Sequence, residues 1–126
     1  LKRYKVDLVV LAGYMRIITP HFIRQYKNRI INIHPALLPS FPGTDGYGDT
    51  FKYGCKVGGC TIHFVDEGVD TGPIILQKIN PIKENDTLES FKKRGLKIEH
   101  QAFPEAIKLF CEDKLKIKGR RVRIKK

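Results

Sequence analysis

Cysteine is scarce in this chain: three among 126 residues, an odd number, which excludes a disulfide framework and makes a reducing compartment the default. No apolar run approaches the roughly 20 residues that a membrane-spanning helix needs. Nothing at the start reads as a secretory leader, because the short apolar run after Lys2 and Arg3 is already broken by Gly13 and Arg16. Neither a G-x-G-x-x-G loop nor a Walker-type loop is present, so a phosphate cradle of those kinds is excluded from this stretch. Internal repeats, linkers and low-complexity blocks are also lacking. Acidic residues are outnumbered, 13 against 24 Lys and Arg, for a formal net charge of +11.

That charge invites a nucleic-acid reading. Its distribution argues otherwise. Lys and Arg are spread along the chain, apart from one cluster made of Lys114, Lys116, Lys118, Arg120, Arg121, Arg123, Lys125 and Lys126, and no aromatic residues interleave with that cluster to stack bases. The expected partners are small molecules, phosphorylated or polycarboxylate, with neither a membrane nor a nucleic acid. The oligomeric state is not legible.

Hydrophobic residues make up 41% of the chain, an ordinary globular share. Strands are expected at residues 6–12, 29–33, 60–65 and 73–80, all rich in Ile and Val. Thr19 followed by Pro20 predicts a helix start running to about Lys27. Pro35, Pro39, Pro42 and Gly43 mark a rigid loop, and a short helix is expected at residues 46–53. A long helix opens at Asp86-Thr87-Leu88-Glu89, read as an acidic cap with Glu three positions on, and Pro104 is expected to kink it. Leu115 to Ile117 and Arg121 to Ile124, around Gly119, suggest a closing hairpin. Alternating strands and helices predict an α/β fold with a mostly parallel sheet. The strand at residues 6–12 is apolar throughout, as strands buried on both faces are, and needs neighbours. Since the chain begins at Leu1, an upstream part of the domain is expected to be missing. Residues 1–126 are thus read as one partial domain, with 114–126 a basic hairpin or tail.

The chemistry concentrates in Ile30-Ile31-Asn32-Ile33-His34-Pro35. Asn32 and His34 are two apart, so both project from one side of an extended chain, at the strand's C-terminal end where open α/β sheets place ligands. Asn offers an amide donor and His a hydrogen bond or a proton, a pair suited to an oxyanion in acyl transfer. The same two residues would also serve as a capped strand end, and the residues alone leave both readings open. Asp70, in a glycine-flanked turn, could orient an imidazole, but spacing favours a turn Asp bonding its own backbone. His63 reads first as a sheet-face residue. Cys55, Cys60 and His63 lack a fourth ligand and follow no zinc spacing, so no metal is expected.

Taken together, three segments resemble the phosphoribosylglycinamide formyltransferase family, folate-dependent enzymes of purine biosynthesis. They are Val9 through Ile18, then Asn32-Ile33-His34-Pro35-Ala36-Leu37-Leu38-Pro39 with Phe41-Pro42-Gly43, then Gly59 through Ile75 with its Val-Asp-Glu-Gly-Val-Asp-Thr-Gly-Pro run. The likeness continues through Ile98-Glu99-His100 and Phe103-Pro104-Glu105-Ala106. It implies a Rossmann-like formyltransferase fold and a cytoplasmic enzyme that passes a formyl group from 10-formyltetrahydrofolate to the amine of glycinamide ribonucleotide. It further implies that Asn32 and His34 stabilise the oxyanion, with Asp70 paired to His34 and moving protons, and His63 supporting them. Met15, Arg16, Ile17 and Ile18, with Asp66, Glu67 and Val69, would line the folate pocket. Pro35 and Glu99 would approach the ribonucleotide, Glu99 accepting from its ribose hydroxyls.

Three departures stand out. The family's amino-terminal portion, with its phosphate-holding loop, is absent from this chain. After Gly43 the family usually carries a His and a Gln-Ala pair, where this chain reads Thr44-Asp45-Gly46-Tyr47-Gly48-Asp49. Gly95 stands where a larger residue is usual. Alternative readings are methionyl-tRNA formyltransferase, a formyltetrahydrofolate deformylase, and an inactive fragment. Relatives acting on tRNA usually read Arg-Gly where Phe41-Pro42-Gly43 stands, and a deformylase usually carries a second His in place of Pro35.

Overall fold

The computed structural model describes residues 8–11, 20–68 and 70–125. In chain order these form β1 (Val9–Leu11), α1 (Pro20–Gln25), β2 (Ile30–His34), α2 (Gly46–Tyr53), β3 (Val57–Phe64), β4 (Ile74–Pro81), α3 (Leu88–Cys111), β5 (Leu115–Lys118) and β6 (Arg121–Ile124). One sheet takes the described strands in the order β1-β2-β3-β4-β6-β5.

The α/β class holds, but the sheet is mixed where a mostly parallel one was expected. β1–β2 and β4–β6 run parallel, whereas β2–β3, β3–β4 and β5–β6 run antiparallel. For β3–β4 the reason lies in the connection. Between Phe64 and Ile74 there is room only for a turn, and a parallel return needs a crossover of a dozen residues or more.

Period-two alternation divides the sheet into two faces. Ile31 and Ile33 of β2, with Cys60, Ile62 and Phe64 of β3, pack under Ala102 and Ala106 of α3. On the other face Ile30 packs with Ile23 and Tyr26 from α1 and the turn that follows it. β2 is buried along its whole length.

The long helix departs from expectation at its start. Its cap is Thr87, in extended conformation, whose Oγ1 accepts from Ser90 N at 3.1 Å while Thr87 N donates to Ser90 Oγ at 2.9 Å. Asp86 is diverted from capping because it accepts from Lys83 N and pairs with Arg94, which holds its carboxyl well below the usual carboxylate range. The helix continues past Pro104 to Cys111. Ala102 and Ala106, both fully buried, flank that proline and let the backbone sit against the sheet.

Candidate active site

Asn32 and His34 occupy the face of β2 opposite Ile31 and Ile33. The antiparallel register sets Asn32 beside His63 and His34 beside Thr61. Four polar residues therefore share one buried patch in the middle of the sheet. Next to it, the β3–β4 register shifts between Ile62 and His63, a bulge of the sort that redirects a side chain.

Asp70 reaches this patch from the turn between β3 and β4, although its sequence spacing favoured a turn residue bonded to its own backbone. It adopts a left-handed backbone, φ 54°, uncommon outside glycine. Its Oδ2 lies 3.4 Å from His34 Nδ1 and its Oδ1 3.6 Å from His63 Nε2, all three side chains being buried. Asp70 Oδ2 also accepts from Gly43 N at 2.9 Å. His34 Nε2 donates to the Phe41 carbonyl at 2.7 Å. Both ring nitrogens of His34 thus face oxygen acceptors, an arrangement satisfied by an imidazole bearing two N–H groups. His63 donates through Nδ1 to the Phe64 carbonyl at 2.9 Å, which leaves the lone pair of Nε2 towards Asp70. Burial depresses the His63 pKa, with the backbone bond and Asp70 opposing.

Side chains that the sequence reading did not single out hold the frame. Thr61 Oγ1 donates to the Ala36 carbonyl at 2.7 Å and accepts from Leu38 N at 3.0 Å, pinning the loop after β2. Gln77 Nε2 donates to the Leu38 carbonyl at 2.9 Å and to Thr61 Oγ1 at 3.1 Å. Asp66, expected in a folate pocket, spends Oδ1 on Gly68 N and Thr71 Oγ1 within its own turn. Glu67 pairs with Arg24 at 2.7 Å. These two acids border a cavity of about 440 Å³ beside α1. The expected contributors Met15, Arg16, Ile17, Ile18 and Val69 lie outside the described residues.

Arg120 closes the turn from the other side, its Nη2 donating to the Thr71 carbonyl at 2.6 Å and the Gly72 carbonyl at 3.3 Å. Its only sequence signal was membership of the basic cluster. Removing both bonds in Arg120→Ala is expected to speed amide exchange across residues 64–73 roughly thirtyfold, at about 1 kcal/mol of net stabilisation per hydrogen bond. Hydrogen-exchange mass spectrometry reads this directly, and unchanged protection would show that the clamp is idle.

Pro35 and Glu99 do come together. With Tyr47, Leu96 and His100 they line a cavity of about 670 Å³ between the end of β2, α2 and α3. Burial raises the Glu99 pKa, a shift opposed by the Tyr47 hydroxyl and by His100 and His34. Burial also pushes the Cys60 thiol up to about 11. The three cysteines are free, and among the described residues no group of three or more His, Cys, Asp or Glu side chains is placed to hold a metal ion.

A buried amide, two imidazoles and a carboxylate at the end of an inner strand can together stabilise charge on an oxygen and carry a proton, as acyl-type transfer requires. The chain belongs to the formyl transferase family, whose sequence pattern matches residues 1–107. Within that family it is similar to the phosphoribosylglycinamide formyltransferase of Bacillus subtilis, 53% identical over 108 residues, which cover 86% of this chain and 55% of that protein. Among solved structures it resembles glycinamide ribonucleotide transformylase 1 from Symbiobacterium toebii, with a TM-score of 0.95 and 53% identity over 99% of this chain and 59% of the other. A formyltetrahydrofolate deformylase from Pseudomonas syringae shares the fold at a TM-score of 0.94 and 32% identity, over 99% of this chain and 42% of the other. The chain thus spans little more than half the length of its curated Bacillus relative.

Proposed function

We propose that this chain carries the catalytic end of a phosphoribosylglycinamide formyltransferase. The reaction moves a formyl group from 10-formyltetrahydrofolate to the amine of glycinamide ribonucleotide, in a cytoplasmic setting. The observation that supports it best is the convergence of Asn32, His34, His63 and Asp70 in one buried patch, in a chain 53% identical to an enzyme of that name.

The steps follow from the donors. The amine attacks the formyl carbon, a carbon–nitrogen bond forms, and negative charge gathers on the formyl oxygen. The Asn32 amide and a His34 N–H supply hydrogen bonds to that oxygen, while Asp70 holds the other ring nitrogen and balances the imidazolium. In the resting arrangement the Phe41 carbonyl is the acceptor on His34 Nε2, so the developing oxyanion takes over a hydrogen bond that the ring already makes. The attacking nitrogen loses its proton through the Asp70–His34 pair to the departing folate nitrogen, whose bond to carbon breaks as the carbonyl reforms. The folate side would be lined by residues 15–18 and the turn from Asp66 to Asp70, and the ribonucleotide side by Pro35 and Glu99.

The test is an assay of the purified chain with 10-formyltetrahydrofolate, following both formylated ribonucleotide and free formate. Formylated ribonucleotide supports the proposal. Formate alone, independent of ribonucleotide, would move the chain to the deformylase reading, and neither product would mean that this chain is no enzyme by itself.

A further inference from the structure

We propose that Tyr47 is a positioning residue of the Glu99 cavity, its phenol holding the Glu99 carboxylate and completing with it a pair of acceptors for the vicinal hydroxyls of a sugar ligand. This rests on the formyl-transfer reading and assigns a residue to it. The two side chains come from different elements: the Tyr47 hydroxyl, on α2, donates to Glu99 Oε2, on α3. A phenol that donates its proton keeps lone pairs for accepting, and a carboxylate engaged at one oxygen can accept at the other. Two acceptors side by side on a cavity wall match two neighbouring hydroxyls.

Close packing holds the ring in place. Phe91 meets it edge-on, with centroids 5.7 Å apart and planes at 86°. Gly95 also abuts the ring: an added Cβ there would lie 2.3 Å from Tyr47 Cε1 and 2.6 Å from its hydroxyl. Glycine in a helix interior costs about 1 kcal/mol relative to alanine, so α3 gives up helix stability to admit the phenol. One residue before Tyr47, a Cβ at Gly46 would lie 2.7 Å from the Pro35 carbonyl, so the start of α2 rests directly on the loop that leaves the strand end carrying His34. Tyr47 and Gly95 are two of the positions at which this sequence departs from its family's usual pattern, and in space they occupy one another's room.

The test is a chemical-shift titration of the chain with ribose 5-phosphate and, separately, 2-deoxyribose 5-phosphate, alongside the same titrations of Tyr47→Phe and Gly95→Ala. The native chain is expected to prefer the ribose compound about tenfold, the scale of one hydrogen bond to a buried polar site. Tyr47→Phe, which keeps the ring and loses only the hydroxyl, is expected to lose most of that preference. Gly95→Ala should do the same by displacing the ring. A structural role alone would weaken both sugars equally. Acidity gives a second signature. Glu99 faces Tyr47 from α2, Cys60 from β3, His34 from β2 and His100 on its own helix. The phenol stabilises the charged carboxylate, so without it the Glu99 pKa rises, and the ribose preference that remains in Tyr47→Phe is lost at a higher pH as acid is added than in the native chain. No preference in the native chain, or an undiminished one in Tyr47→Phe, overturns the proposal. Because these titrations need no turnover, failure of the formyl-transfer assay with the preference intact would sink the reaction and leave the sugar site standing.

Discussion

Under the proposed reaction, Asp70→Asn and His34→Ala are each expected to lower the rate of formyl transfer by at least ~10²-fold, the scale of a lost oxyanion donor or proton-transfer group. Asp70→Asn is the cleaner of the two. It preserves shape in a site where the side chain is fully buried, and it keeps an oxygen able to accept from Gly43 N. What it removes is the negative charge that faces His34 at 3.4 Å and His63 at 3.6 Å. Without that charge, a His34 ring with both nitrogens protonated has no counter-ion in the patch. His34→Ala removes the donor itself and also releases the Phe41 carbonyl. Steady-state kinetics at saturating substrates decide the matter, with thermal melting as a control for folding. A variant that stays folded and turns over within about threefold of the native chain would remove its residue from the mechanism.

Phe64→Ala is expected to destabilise the fold by about 3–5 kcal/mol, the usual cost of truncating a buried aromatic side chain. Phe64 is 2% exposed and packs in the core with Ile31, Ile33 and Ile62, its ring 6.3 Å from that of Phe110 on α3. Against a typical total of about 5–15 kcal/mol, that loss removes a large share of stability. The site would feel it as well. The Phe64 carbonyl accepts from His63, and Phe64 N donates to the Pro73 carbonyl at 2.9 Å, closing the turn that carries Asp70. A Cβ on Gly72 would lie only 1.7 Å from the same Phe64 carbonyl, so that turn has no slack in which to absorb movement of the strand end. Equilibrium urea unfolding gives the number, and a loss below about 1.5 kcal/mol would mean that the core repacks around the gap.

Local features of the chain were legible in its sequence, because local chemistry sets them. Runs of Ile and Val announced β2, β3 and β4 to within a few residues, and α2 falls at residues 46–53 as expected. A left-handed Gly119, φ 63°, turns the closing hairpin. The period of two put Asn32 and His34 on one side of β2, which needs no knowledge of the rest of the molecule. By contrast, the helix cap moved from Asp86 to Thr87 because Arg94, a full two turns into the helix, claims the aspartate.

Everything that required two distant segments to meet was decided by the tertiary structure. The strand pattern reads alike in parallel and antiparallel sheets, so only the length of the connections and the surfaces available for burial selected a mixed sheet. Asp70 has the local chemistry of a turn residue, and it faces His34 only because the antiparallel β2–β3–β4 order folds that turn back over the strand end. Tyr47 beside Gly95 and Glu99, Thr61 beneath the loop after β2, and Arg120 on the Thr71 carbonyl share this character. Periodicity and turn preferences act over a few residues. Long-range partnerships arise from packing of the whole chain, where the gain from burying apolar surface outweighs what any one segment prefers by itself.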